Sequence, residues 1–224
     1  MEVLYVVPQW FFTVSILLNV VFALTTLFVS FYAFKVYRLS AQRGTRLFGV
    51  SFLIVAVAYI IRAIVNGFIA GAFDDNTFSL TMNSVYTLSN LAIYSYMVLF
   101  TASLVTLAYT TFKVKSCRVY TLLLLIVLTA LYYSCAPSLT FYIVSTILLL
   151  YISSHYLNEY LKDKNKSMLL MMGSFLLLLV STIFFMYATS SYDYFILGNI
   201  TEFLAYLGIL TNLISVLKHG QKKK

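Results

Sequence analysis

The chain has 224 residues, of which 62% are hydrophobic and 10% charged, with a formal net charge of +8. Soluble domains carry about 25% charged residues, so this composition excludes an ordinary water-soluble domain. The positive charge falls in short clusters at the ends of apolar runs, which marks membrane orientation and excludes a nucleic-acid-binding face.

In chain order, the first ten residues, MEVLYVVPQW, lack the basic segment of a cleavable signal peptide. No lipidation signal is expected either. A membrane-crossing helix needs roughly 20 mainly apolar residues. Apolar runs between polar punctuation predict spans at 11–36, 47–71, 84–112, 119–134, 138–157, 168–190 and 194–217. The third is long enough to tilt, and the fourth is short, with Pro137 marking a tight turn after it. The expected fold is an all-α integral membrane protein, one seven-transmembrane-helix bundle over residues 1–218, followed by a basic cytoplasmic tail at 219–224.

Charge sets the direction. Lys35, Arg38, Arg43 and Arg46 flank the first connection, Lys113, Lys115 and Arg118 the third, and Lys162, Lys164 and Lys166 the fifth. Lys218, Lys222, Lys223 and Lys224 follow the last span, so every basic residue but Arg62 falls on one side. The other side carries Glu2, Asp74, Asp75 and Asp193. Positive charge stays cytoplasmic, which places the N-terminus outside and the C-terminus inside a multi-pass protein of the cell membrane. Cys117 and Cys135 bracket the fourth run and are expected at opposite faces, too far apart for a disulfide. His155 and His219 read as residues of the basic side, with no carboxylate or cysteine at metal-ligand spacing.

The chain also matches itself weakly. The segment from Tyr37 to Leu53 repeats the spacing of Tyr160 to Leu176, with Ser51-Phe52-Leu53 against Ser174-Phe175-Leu176. A second match sets Leu88-Ser-Asn90-Leu against Leu197-Gly-Asn199-Ile. These registers predict a parallel duplication of helices 1–3 and 5–7, joined by helix 4.

This 3+1+3 arrangement resembles the PQ-loop and sugar-transporter type and the opsin type. Their specific motifs are missing. Span 7 carries Asn199, Glu202, Tyr206 and Gly208 and no lysine for retinal, and Pro8-Gln9 has no counterpart in the second half. Both prolines are placed in loops, so proline-bent spans are not expected. The closing segment, Gly198-Asn-Ile-Thr-Glu202 through Lys218-His-Gly-Gln-Lys-Lys-Lys, is similar to small uncharacterised archaeal seven-helix membrane proteins. That resemblance implies the fold and brings no activity.

Two charges remain inside the spans, Arg62 and Glu202. An ionisable side chain at mid-bilayer costs about 2.5–3.5 kcal/mol by insertion scales. Counted from the outer ends of their helices, both lie at a depth of ~12–14 Å, and they are expected to pair. Tyr59, Arg62 and Asn66 share one helical face, as do Asn199, Glu202 and Tyr206. Tyr86, Asn90 and Tyr94 continue a stripe from Asn83 in span 3, and Asn19 reaches the same layer from span 1. The ten candidate ligand-binding residues are therefore Asn19, Tyr59, Arg62, Asn66, Tyr86, Asn90, Tyr94, Asn199, Glu202 and Tyr206. The layer reads either as a solute site or as interhelical glue of about 0.6–2 kcal/mol per hydrogen bond.

The expected function is a receptor- or sensor-like ligand-binding bundle with an outward-facing polar site. The alternative is a small-solute transporter or channel. An enzyme is the weakest reading: one carboxylate, no nucleophile–base pair, no metal set and no cofactor motif. The expected partners are the lipid bilayer, a small-molecule ligand, and a cytoplasmic or membrane protein that would receive a signal.

Overall fold

The computed structural model describes residues 9–74, 82–112, 116–188 and 192–221. Each apolar run forms one helix: α1 (Gln9–Ser40), α2 (Arg43–Asp74), α3 (Met82–Thr111), α4 (Cys117–Tyr132), α5 (Pro137–Asp163), α6 (Lys166–Tyr187) and α7 (Tyr192–Gln221). Six are long and apolar enough to cross a membrane, and α4, with 16 residues, is shorter. In lipid no water can satisfy a bare peptide group, so apolar chain stays helical from end to end. α1, α2, α5 and α7 also run on past their apolar runs into charged sequence.

Two of the turns are alike. Ala41 (φ 52°) ends α1 in the left-handed region and donates its N–H to Tyr37 O at 2.8 Å. Lys164 (φ 48°) ends α5 in the same way, donating to Tyr160 O at 2.7 Å. A left-handed residue just past a helix captures an otherwise unsatisfied carbonyl. Asn165 then caps α6, its Oδ1 accepting from Ser167 N at 3.1 Å. Pro137 sits in the first turn of α5, not in the preceding loop. A proline is tolerated there because the first helical N–H has no intrahelical partner.

The helices close a ring in which α1 packs on α2, α2 on α3, α3 on α5, α5 on α6, α6 on α7 and α7 on α1. α4 stands outside it, against α3 and α5. The C-terminal turns of α3 and α5 line one crevice (Thr110, Thr111, His155, Tyr156), while Tyr96 and Tyr142 meet farther up. The two helices therefore run in the same direction, and α4 carries the chain back between them. Arg38, Arg43, Arg46, Arg118, Lys162, Lys164, Lys166 and Lys218 all fall at the end of the bundle where α1, α3, α5 and α7 finish, here termed the basic end. Lys113, Lys115, the last three lysines, Glu2 and Asp75 lie outside the described residues.

The interior of the ring is aromatic. Phe22, Phe52, Tyr59, Phe175 and Tyr206 are its largest fully buried side chains. Buried hydroxyls bond back along their own helices, as Thr26 does to Phe22 O (2.7 Å) and Thr101 to Met97 O (2.6 Å). Ser30 Oγ crosses from α1 to Gly49 O of α2 at 2.8 Å. The outer surface, in contrast, exposes Leu17, Phe31, Phe68 and Leu91. Large contiguous apolar surfaces of this kind belong against another apolar phase, which here is the bilayer of a polytopic membrane protein.

Candidate functional site

Glu202 is 4% exposed and anchors the polar layer from α7. The Tyr59 hydroxyl donates to its Oε1, and the Tyr206 hydroxyl donates to the same oxygen at 3.2 Å. Tyr96 OH in turn donates to Tyr59 OH at 3.5 Å, and the Tyr59 and Tyr206 hydroxyls lie 3.3 Å apart. Phenols from α2 and α7 thus converge on one carboxylate oxygen, and a third, from α3, backs the first of them. No described donor reaches Oε2.

Arg62 does not form the expected pair with Glu202. Its guanidinium carbon lies 4.9 Å above the Tyr96 ring centroid, a cation–π contact. Among the described residues it makes no ion pair or hydrogen bond. Equal depth brought both charges to one layer, but the phenols of Tyr59 and Tyr206 take up the carboxylate.

Both charges line one cavity of about 80 Å³. Its wall runs from the Tyr59–Glu202 layer, through Phe22, Asn19 and Asn199, to Ser15, Ala188 and Phe195 near the end opposite the basic one. Phe185, Tyr96 and Tyr142 complete it. Asn19 is 4% exposed, and its Nδ2 has no hydrogen-bond partner. A buried amide donor left unpaired costs about 1–3 kcal/mol, so this N–H marks where a ligand or water belongs. Asn199 is held in place by donating Nδ2 to Phe195 O at 2.7 Å.

Five of the ten candidate residues line this cavity: Asn19, Tyr59, Arg62, Asn199 and Glu202. Tyr206 supports it from behind through Glu202. Asn66 reaches Ser15 Oγ at 3.5 Å without lining it. Asn90 is half-buried and elsewhere, and Tyr94 is 51% exposed on an apolar groove between α3 and α4. The side chains of Asn83 and Tyr86 lie outside the described residues. Tyr96 and Tyr142 were not expected in the site. Tyr96 was signalled by its i,i+4 step to Phe100, on the apolar face of α3, whereas Tyr142 stands apart from the other phenols of α5 with no pattern to reveal it.

A second cavity, of about 480 Å³, opens at the basic end. Its lining includes Ser40, Gln42, Thr110, His155, Glu159, Ser167 and Asn212. His155 Nε2 lies 3.4 Å from Glu159 Oε1, so this histidine does have a carboxylate one turn away. Glu159 was overlooked because it sits among the basic residues that fix orientation. No group of three metal-ligating side chains occurs among the described residues. Between the two cavities lies a packed septum, about 16 Å thick along α2 from Tyr59 to Phe48. Thr26, Phe52, Phe175 and Ile209 fill it, all fully buried.

No protein family, curated protein or solved structure matches the chain, so the geometry carries the functional argument alone.

Proposed function

We propose that this chain is a seven-span transporter of a small polar solute, which binds in the cavity around Asn19, Arg62 and Glu202 and passes between the two halves of the ring. The observation that carries the reading is the placement of two cavities on one axis, at opposite ends of the bundle, with only a side-chain septum between them. A solute that crosses the bundle needs an opening at each end, and the two cavities supply them. In this reading the basic end is cytoplasmic, the small cavity faces outward, and α4, ~24 Å long, is the seventh span.

Duplicated halves support the same reading, because alternating access commonly rocks one repeat against the other. The offset of 123 residues that separates Tyr37 from Tyr160 also relates Ala41 to Lys164, the two left-handed helix ends. It carries Phe48, Ser51, Phe52, Val55, Ala58 and Tyr59 of α2 onto Met171, Ser174, Phe175, Leu178, Ser181 and Thr182, which are the buried residues of α6. It likewise carries Phe22, Thr26, Val29 and Ser30 onto Ser145, Leu149, Ile152 and Ser153, all buried. The offset between Asn90 and Asn199 brings Met97, Phe100, Ser103 and Leu104 onto Tyr206, Ile209, Asn212 and Leu213, again all buried. With 3.6 residues per turn, an arbitrary offset matches faces in roughly one register of four, and here three helix pairs match together.

The test is thiol accessibility in a cysteine-free background, Cys117→Ser with Cys135→Ser. Thr26→Cys, buried in the septum, should react with membrane-impermeant thiol reagents applied from either side of a proteoliposome. A receptor whose septum never opens would leave Thr26→Cys unreactive from the basic end, and that result would favour the sensor reading.

A further inference from the structure

We infer that the ligand of the small cavity is a compact zwitterion, with a carboxylate and an ammonium group separated by one or two carbons. The inference rests on the reading of this cavity as a solute site and specifies its chemistry.

Three uncommitted groups face the same 80 Å³. Arg62 offers guanidinium N–H donors that no described acceptor uses. Asn19 offers an amide N–H that is buried and unpartnered. Glu202 offers Oε2, since both phenols are spent on Oε1. In a medium where an unmatched charge costs several kcal/mol, a cation and an anion on one cavity wall would ordinarily close on each other. Here they are held apart, Arg62 by the Tyr96 ring and Glu202 by Tyr59 and Tyr206.

What fills the gap must satisfy donors at one end and an acceptor at the other. A simple anion would answer Arg62 and Asn19 and face Glu202 with like charge. A simple cation would answer Glu202 and face Arg62. An uncharged solute leaves both charges unmatched. A zwitterion meets all three, its carboxylate on Arg62 and Asn19 and its ammonium on Glu202, through charge-assisted hydrogen bonds, which are the stronger kind. Size narrows the class. The cavity, at about 80 Å³, is small, and Phe22, Phe185 and Phe195 wall it in. Aromatic walls on three sides favour the smallest member of the class, glycine, over one with a branched side chain.

The experiment is calorimetric titration of the full chain in lipid nanodiscs with glycine, acetate, methylammonium, glycerol and leucine as separate probes. Glycine is expected to bind at least about tenfold more tightly than each of the others, a difference of about 1.4 kcal/mol. Glu202→Gln and Arg62→Gln should each remove that preference, and Asn19→Ala, which changes no charge, should weaken glycine about tenfold. Acetate or methylammonium binding as tightly as glycine would overturn the zwitterion and leave the solute site standing. So would binding of glycerol with none of glycine. If no probe binds and none shifts the melting temperature, the solute-site reading falls together with this one.

Discussion

Arg62 and Glu202 line one cavity from helices that are not neighbours in the ring, and they do not touch: the guanidinium lies over Tyr96 while the carboxylate accepts from Tyr59 and Tyr206. The energetic partner of Glu202 is therefore the pair of phenols.

That assignment has a measurable consequence in double-mutant cycles. Tyr59→Phe with Glu202→Leu should show a coupling of about 0.6–1.7 kcal/mol, the range found for hydrogen bonds between membrane helices. Arg62→Gln with Glu202→Gln should show a smaller coupling. Reversible unfolding in detergent gives both values, and a larger coupling for the Arg62 cycle would restore the ion pair in place of the phenol cluster.

Asn19 and Asn90 were equivalent as sequence candidates and differ in the structure. Only Asn19 lines the cavity, with an unpaired N–H. Asn19→Ala removes a buried orphan donor and should leave the melting temperature unchanged or slightly raised. Asn90→Ala should leave solute affinity within about twofold of wild type, less than 0.5 kcal/mol. Titration of the two variants side by side checks this, and loss of binding in Asn90→Ala alone would move the site toward α3.

The two left-handed helix ends offer a test of the turns. A non-glycine residue in this region costs roughly 1–2 kcal/mol, partly offset by the entropy that glycine loses on folding. Ala41→Gly and Lys164→Gly should each stabilise the protein by about 0.5–1 kcal/mol in thermal unfolding. Destabilisation by either would mean that the turn is not left-handed in the membrane.

Orientation is tested at Asp193 and Lys164, which lie at opposite ends of the bundle. In a cysteine-free background, Asp193→Cys should label with an impermeant thiol reagent in intact cells. Lys164→Cys should label only after the cells are opened. The reverse pattern would turn both cavities around.

All seven helices were legible in the sequence because apolar length and charged punctuation are imposed by the bilayer itself. Helix ends were less so, since a helix continues until a turn stops it, and Ala41 and Lys164 carry no turn signature. In the cavity wall, Asn19, Arg62 and Glu202 of α1, α2 and α7 were legible because polar groups costly in lipid must face inward. α3 misled. Its polar stripe through Asn90 and Tyr94 points largely away from the cavity, while Tyr96, two positions on and about 200° round the helix, points in. Phenols tolerate the membrane interface and lipid-facing grooves as well as a core, so a tyrosine alone does not reveal its direction. The Arg62–Glu202 pairing was misjudged for a related reason: depth ranks which groups can meet, but not which partner arrives first.

The position of α4 outside the ring bears on how such a chain is assembled. α3 and α5 run in the same direction only because an odd helix lies between them. With α4 as the proposed seventh span, its excision with a direct α3–α5 join would insert the last three helices upside down. Glu202 would then sit in the leaflet opposite Arg62, and Lys162, Lys164 and Lys166 would have to be translocated. In that proposed reading a short helix that contributes little to the core acts as a parity element: its mere passage, more than its sequence, decides whether the two halves can share a site.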